Sequence, residues 1–397
     1  MSLQTQAERD LENQPLNFYV DLNIIQNDPN STEQAVPIRF TTIKNEPFLK
    51  APKNYEMAIV RFGIDTTYLP SVIPLIQKNQ GNRNLTEYSF TLSYDYLGTT
   101  YNAQQYIIYD PQNSSATIPV QVNGNWQTAN YIEYYFINTF QKWFKMVNKA
   151  LSDAYTTLDN IITGLGGALP SAHPPFFEVN PSTLVVNLNA DILGYSDDIA
   201  NPIKIFMNNA CYGMFSNFQV FNFGQSASNG KNYKFSIYSV GGPTISTNSY
   251  ILPTYTALQM FSEGESALSL IQPVQSLVFT SSLLPVVNTA VDVPLEFNAT
   301  NLQESLGNNS GYQPVLTDYV VPWTAQNTYK SQTFFQTAGE YRFQDLYGAS
   351  PLQTLELFVF WKSRWGFLYP MKLKQGAGAN LKLYFRRKDF YNYSLRV

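Results

Sequence analysis

The sequence predicts an all-β fold, an antiparallel jelly-roll β-sandwich that carries one long α-helix and an inserted region rich in loops and short strands. Three observations predict it. Apolar residues alternate with period two in many short runs, separated by clusters of Gly, Pro and Asn. One long stretch, near 132–161, switches to the helical period. Aromatic residues make up 15% of the 397 positions and charged residues 14%, against roughly 25% charged in ordinary soluble domains. A surface poor in charge and rich in rings suits contact with other protein, because burying a charge costs more than burying a ring.

In chain order, residues 1–15 are polar and read as an N-terminal arm, a short helix or a flexible lead. Strands are expected at Phe18–Ile24, Val36–Ile43 and Tyr55–Ile64, where Pro37 suits a strand start. The stretch 68–76 holds Pro70 and Pro74, so it is extended without central pairing. Further strands are expected at 88–94, 106–109 and 117–122.

The period then changes. Ile132, Phe136, Phe140, Trp143, Val147, Leu151, Ala154, Leu158 and Ile161 recur every three or four residues, which is one face of a helix. Asn130 and Glu133 resemble a capping box at its start, and Gly164, Gly166, Gly167 and Pro170 stop it. Such a helix runs roughly 45 Å at 1.5 Å per residue. Its polar face mixes Glu133, Lys142, Lys145 and Asp153, so it is read as packing on a sheet rather than on lipid.

Short strands follow at 174–179, 184–188, 203–208, 214–218 and 233–240, with a short helix at 258–271 inside a loop-rich region of 222–274. Strands resume at 276–280, 291–297, 314–321 and 334–343, with a surface loop at 299–312. The densest strand signal closes the chain. Leu355, Leu357, Val359 and Trp361 share one face, and Phe358 and Phe360 the other, so that strand is expected to be covered on both sides. Turns at Trp365–Gly366 and Gln375–Gly378 set off Phe367–Leu373, where Pro370 marks an edge or bulge. In the last run Leu381, Leu383 and Phe385 face one way, and Lys382, Tyr384 and Arg386 the other. The three runs are expected to form one closing sheet that ends in Arg386, Arg387 and Lys388.

Signs of catalysis are sparse. His173 is the single histidine and Cys211 the single cysteine, so zinc-type ligand sets and an internal disulfide have no residues to use. No Gly-x-Ser-x-Gly elbow is present, and Gly164–Ala168 lacks the Lys-Ser/Thr of a phosphate cradle. Asp197–Asp198 and the pair Glu263 and Glu265 could serve a hard cation or a glycosidase, with solvated loops as the default reading. The chain is therefore read as a non-enzyme with no cofactor and no metal. A net charge of −4 gives no global attraction to nucleic acid, which leaves Arg386, Arg387 and Lys388 as candidate contacts to nucleic acid or to an acidic neighbour. No signal peptide and no run of about 18 apolar residues is seen, so a soluble protein made in a host cytoplasm, without a membrane span, is expected.

Two regions look familiar. A strand ending in Trp361-Lys362 is followed by a Gly turn, a Leu368-Tyr369-Pro370 strand, a Gly-rich turn and a Leu381-Lys382-Leu383-x-Phe385 terminus. Earlier, Asn148–Leu151 on the helix precede Pro174-Pro175-Phe176-Phe177, then a strand to Asn208 and Phe215–Phe218. Together these resemble the penton (minor capsid) proteins of virophages and polinton-like viruses, over about half the chain. The resemblance implies a structural jelly-roll protein, a homopentamer at the icosahedral vertex of the virion that touches the major capsid protein; packaged DNA or inner virion proteins are candidate further partners. The division expected is an arm at 1–15, a barrel from 16–125 and 276–397, and a helix with insertion at 126–275. A β-sandwich lectin or host-receptor-binding module using exposed Tyr and Trp is the alternative, and a carbohydrate-active enzyme a third reading.

Overall fold

Alternation becomes strand almost run for run in the computed structural model, which describes residues 15–27, 35–78, 81–112, 116–120, 132–180, 182–239, 257–287, 289–291, 295–297, 303–305, 311–321, 333–336 and 341–388. The chain opens with β1 (Asn17–Ile25), β2 (Ala35–Pro37), β3 (Arg39–Ile43), β4 (Tyr55–Ile64), β5 (Leu85–Tyr96) and β6 (Thr99–Ile108). Helix α1 (Phe140–Gly164) follows, then β7 (Phe176–Val179), β8 (Val186–Asp191), α2 (Ile192–Tyr195), β9 (Lys204–Met207) and α3 (Asn209–Phe215). Next are β10 (Val220–Asn222), β11 (Tyr233–Phe235), β12 (Leu258–Ser262), α4 (Leu268–Ile271) and β13 (Val274–Thr280). Four short strands come after: β14 (Thr289–Val291), β15 (Leu295–Phe297), β16 (Gln303–Ser305) and β17 (Gly311–Gln313). The chain ends with β18 (Val315–Val320), β19 (Thr333–Gln336), β20 (Gln344–Asp345), β21 (Thr354–Ser363), β22 (Leu368–Pro370), β23 (Lys372–Lys374) and β24 (Gly378–Arg387).

Contacts divide the chain into two compact units, one of Met1–Leu69, Val274–Pro322 and Asn327–Val397, the other of Pro70–Pro273 and Trp323–Gln326. The sequence reading opened the insertion at 126, whereas by contact β5 and β6 group with α1.

The first unit is an antiparallel sandwich of the jelly-roll class. One sheet runs β1-β24-β4-β19, with β20 also on β4, and the other runs β18-β13-β21-β22, with β3 also on β21. Rings from both sheets meet between them. Phe62 of β4 lies 5.1 Å from Phe279 of β13 and 5.0 Å from Tyr319 of β18, centroid to centroid. The Tyr319 hydroxyl donates to the Ile59 carbonyl of the opposite sheet at 2.9 Å. Leu357, Val359, Leu381, Leu383 and Phe385 complete a dry core whose members alternate along their strands as the sequence foretold.

The second unit is organised around α1, whose Trp143, Val147, Leu151, Ala154 and Leu158 are fully buried. The helix lies on the sheet β10-β11-β9-β5-β6, with Trp143 edge-on to Tyr88 at 5.6 Å. Asn148 clamps β7 from the helix. Its carboxamide donates to the Phe177 carbonyl at 2.8 Å and accepts from the Phe177 N–H at 2.7 Å. Phe177 in turn stacks on Phe215 at 4.6 Å.

Several expectations need correction. The three closing runs do not share one sheet: β21 pairs with β13, β22 and β3, while β24 pairs with β1 and β4 in the facing sheet and β23 pairs with β2. The helix begins at Phe140, not near Ile132, because Ile137 makes backbone bonds to Val72 and Ser71 and holds 136–137 extended. Thr139 is the cap, accepting from the Lys142 N–H at 3.2 Å; Asn130 lies outside the described residues. At 25 residues the helix spans about 37 Å. Residues 209–215 form α3 where a strand was expected at 214–218, since Asn208 caps it through the Cys211 N–H. The expected helix at 258–271 is β12 followed by α4.

Smaller displacements follow the same logic. Residues 117–120 are not a strand, and 121–122 lie outside the described residues. Strand β11 stops at Phe235, well short of Val240. The expected strand at 291–297 is β14 and β15, which pair with β17 and β16, so the loop read over 299–312 contains strand. The strand expected over 334–343 is β19, Thr333–Gln336, with 337–340 outside the described residues.

Candidate functional site

The predicted basic cluster sits at the end of β24, where Arg386 points to the outer face of its sheet and Arg387 takes the parity of the core residues. Alternation puts Leu381, Leu383 and Phe385 in the core and turns Lys382, Tyr384 and Arg386 outward. Register then supplies partners that the linear sequence conceals, since Arg386 stands opposite Glu56 of β4. The Arg386 guanidinium forms an ion pair with Glu56 and lies over the Phe343 ring, 3.4 Å from its centroid. The Lys388 ammonium is 3.0 Å from the Asp345 carboxylate and also reaches the Leu346 carbonyl at 3.3 Å. Arg387 donates its backbone N–H to the Leu16 carbonyl at 2.8 Å. Its charge faces Tyr55, whose phenol pKa burial raises and Arg387 partly restores. Glu56 and Asp345 line a shallow polar cleft of about 280 Å³ with Val287, Phe343, Gln344 and Tyr347.

Along the same face, Tyr19 of β1 stacks on Tyr384 at 4.7 Å, and the Lys382 ammonium stands 4.9 Å above Tyr19. Asp21 lies 3.5 Å from Lys382 and 3.7 Å from Arg61. Such exposed pairs contribute only about 0–1 kcal/mol each. Their consequence is near-cancellation, four cations against three acids across the face, over a layer of rings.

The acidic candidates are engaged separately. Asp197 pairs with Lys234 at 2.6 Å and accepts from the Ile237 N–H at 3.1 Å. Asp198 accepts from the Ser239 N–H at 2.9 Å. Glu263 is 2% exposed and accepts from the Val186 N–H at 2.8 Å and the Ala267 N–H at 3.4 Å. Desolvation raises its carboxyl pKa from 4.5 to about 7 against those hydrogen bonds. Glu265 takes part through its carbonyl, which accepts from Asn217 at 2.8 Å. Among the described residues no group of three or more His, Cys, Asp or Glu is placed to hold a metal ion.

His173 contributes its backbone carbonyl to the Tyr195 hydroxyl at 3.0 Å. Cys211 is buried beneath Ser89 with its thiol pKa pushed up by burial, the opposite of a reactive cysteine. The glycines at 164–167 terminate α1, with the Gly167 N–H donating to the Ile162 carbonyl at 3.0 Å. Among the described residues no helix is long and apolar enough to cross a membrane.

What the sequence reading passed over is the joint of the second unit. Asn148, Phe177, Asn208 and Phe215 all fall within the motif that carried the resemblance, yet their roles are not visible in one dimension. Asn208 bonds the Glu87 carbonyl at 2.7 Å and the Ser89 N–H at 3.2 Å while capping α3. The signal that pointed to them was a polar Asn on the apolar helix, followed 26 positions later by a Pro-Pro-Phe-Phe run.

Among the described residues, the candidate groups are held in structural hydrogen bonds and ion pairs. The family model described as Sputnik minor capsid protein V18/19 matches residues 18–387. The chain belongs to that family. It is a minor capsid protein, a structural component of a virion and not an enzyme. Uncharacterized protein V18 of the Sputnik virophage is 30% identical over 166 residues, covering 41% of this chain and 92% of that protein. Structural protein V19 of the same virophage is 24% identical over 231 residues, 56% of this chain and 97% of that protein. Among solved structures, the fold is similar to a chain in the 3.5 Å cryo-EM structure of the Sputnik virophage, with a TM-score of 0.74, 24% identity and coverage of 95% of this chain and 99% of that one. It is also similar to the mavirus penton protein, with a TM-score of 0.57, 14% identity and coverage of 94% and 99%. These last two likenesses concern the fold.

Proposed function

We propose that this minor capsid protein is the penton, a homopentamer that closes the icosahedral vertex and contacts the surrounding major capsid protein. The observation that carries the reading is the likeness of fold to the mavirus penton protein over 94% of the chain, joined to membership of a minor capsid family over 18–387. The chemistry agrees with it. A closed ring needs rigid, shape-complementary faces repeated by rotation and has no use for a reactive group. In this reading the sandwich is the capsid barrel and the unit of Pro70–Pro273 its insertion. Arg386, Arg387 and Lys388 then face a protein neighbour rather than packaged DNA, because Arg386 and Lys388 already answer Glu56 and Asp345. Phosphate contact would draw on charges not so engaged.

The test is particle mass and shape. Mass photometry and negative-stain images of the purified chain should give fivefold rings of five times the 45.0 kDa chain mass. Adding the major capsid protein should yield shells with these rings at their vertices. A chain that stays single at all concentrations, or a ring of different order, overturns the proposal.

A further inference from the structure

The sheet β10-β11-β9-β5-β6 ends in two strands that, among the described residues, each pair on one side only: β6 with β5, and β10 with β11. Open edges template further pairing, and proteins that must stay apart protect them with charge or proline. In the first unit the terminal strands β1, β18 and β22 follow that rule with Asp21, Asp318 and Pro370, and the four-residue β19 does not. Strand β6, Thr-Thr-Tyr-Asn-Ala-Gln-Gln-Tyr-Ile-Ile, has ten residues with no charge and no proline. The run Val220–Gly224 at the other edge, Val-Phe-Asn-Phe-Gly, has none either.

Register shows that the exposed apolar groups at both edges lie on one face. Gln104 stands opposite Thr91, Thr91 opposite Phe206, Phe206 opposite Lys234, and Lys234 opposite Phe221. Alternation puts Tyr106 and Ile108 on the same side as Gln104, away from α1, which Gln105 meets through Thr157. Tyr106 and Ile108 are 37% and 50% exposed, and Phe221 and Phe223 are 45% and 57% exposed. The middle of this face is closed by the turn Ser228–Gly230, where Thr91 donates to the Asn229 carbonyl at 2.5 Å. Exposed apolar surface is thus left at two opposite rims.

We propose that these rims are one heterologous interface: the β6 edge of one copy receives the β10 edge of the next, with Tyr106 and Ile108 against Phe221 and Phe223. Two different edges at opposite ends of one sheet make a head-to-tail contact, which propagates around a ring when the rotation closes. The occupant is a second copy because the strands at both rims are uncharged and largely apolar and so match each other, while Lys234, whose ammonium stands 4.9 Å over Phe221, is already paired with Asp197 and so offers little to nucleic acid or an anionic lipid surface. This rests on the homopentamer reading and adds the surface that would make it.

The experiment uses the full-length chain and mass photometry across a concentration series. Ile108→Lys alone and Phe221→Glu alone should each raise the concentration needed for rings at least tenfold. The double variant Ile108→Lys with Phe221→Glu, in which each contact pairs opposite charges, should return it towards that of the unaltered chain. Melting curves show whether each variant is folded, and Tyr106→Lys repeats the first test at the same rim should Ile108→Lys not fold. Single variants that assemble like the unaltered chain, or a folded double variant that stays apart, overturn the interface while leaving the pentamer standing. An unaltered chain that never forms rings removes both.

Discussion

Glu263 gives the sharpest quantitative prediction. The residue is 2% exposed, with no charged side chain among the influences on its titration; burial alone raises it, and the N–H groups of Val186 and Ala267 oppose that rise. The folded carboxyl therefore holds its proton up to about pH 7, whereas the unfolded one releases it near 4.5. Between those values the folded state binds more protons, so stability falls as pH rises. It is fully present below about 4.5 and lost by the time pH passes about 7. At ~1.36 kcal/mol per pH unit, the displacement corresponds to about 3 kcal/mol. Glu263→Gln keeps the acceptor for Val186 and removes the ionisation, at a cost of about 1 kcal/mol for an amide placed near the Ala267 N–H. The expected result, from denaturant titrations at pH 4.5 and pH 8, is a variant less stable than the unaltered chain in acid and more stable in base. Parallel pH profiles for the two proteins would refute the reasoning.

Other substitutions probe other parts of the frame. Gly194→Ala puts a methyl group 2.9 Å from the Ser171 backbone nitrogen, so a loss of about 1–3 kcal/mol is expected in chemical denaturation; no change would mean that the α2 contact is loose. Tyr319→Phe deletes the 2.9 Å bond to the Ile59 carbonyl between the two sheets and should cost about 1–3 kcal/mol by the same assay, with the tilted ring contact to Phe62 preserved. Leu97 and Gly98 turn the β5–β6 hairpin with φ of 50° and 80°, a pair of left-handed positions that favours Asn-Gly. Leu97→Asn should therefore raise the melting temperature, by about 1 kcal/mol of added stability, and a fall would contradict the assigned strain.

Local pattern and long-range pairing separated cleanly in this chain. Strand β4 was legible to the residue, Tyr55–Ile64, because it is a continuous, largely apolar run, although the bulge that skips Val60 opposite Lys382 and Leu383 was not. The turns at Gly366 and Gly376 were legible because both glycines adopt positive φ, 92° and 81°, which few other residues accept. Sheet membership was not legible. Alternation states which side chains face inward but not which strand lies beside them, so β21 and β24 read as neighbours although they line facing sheets. The start of α1 failed for a related reason. Ile132 and Phe136 fit the helical stripe, yet the backbone bonds from Ile137 to Val72 satisfy the chain in extended form. The basic cluster was visible, and its neutralising partner Glu56, 330 positions away from Arg386, was not.

The scarcity of charge acquires a structural account once pairing is considered. Arg39 with Glu356, Lys204 with Asp95, Lys234 with Asp197, Arg386 with Glu56 and Lys388 with Asp345 each set a cation against an acid of the same chain. Glu356 shows the effect on its acid, with a carboxyl pKa lowered by the Ser282 hydroxyl and by Arg39. Charges cancelled internally do little to steer a partner over distance, because their fields decay within the Debye length of about 8–10 Å. Recognition is then left to shape, rings and strand edges, which act only at contact. A shell built from many copies of one contact benefits from that short range. A long-range attraction would capture subunits in any orientation, whereas a short-range one rewards only the geometry that closes the ring.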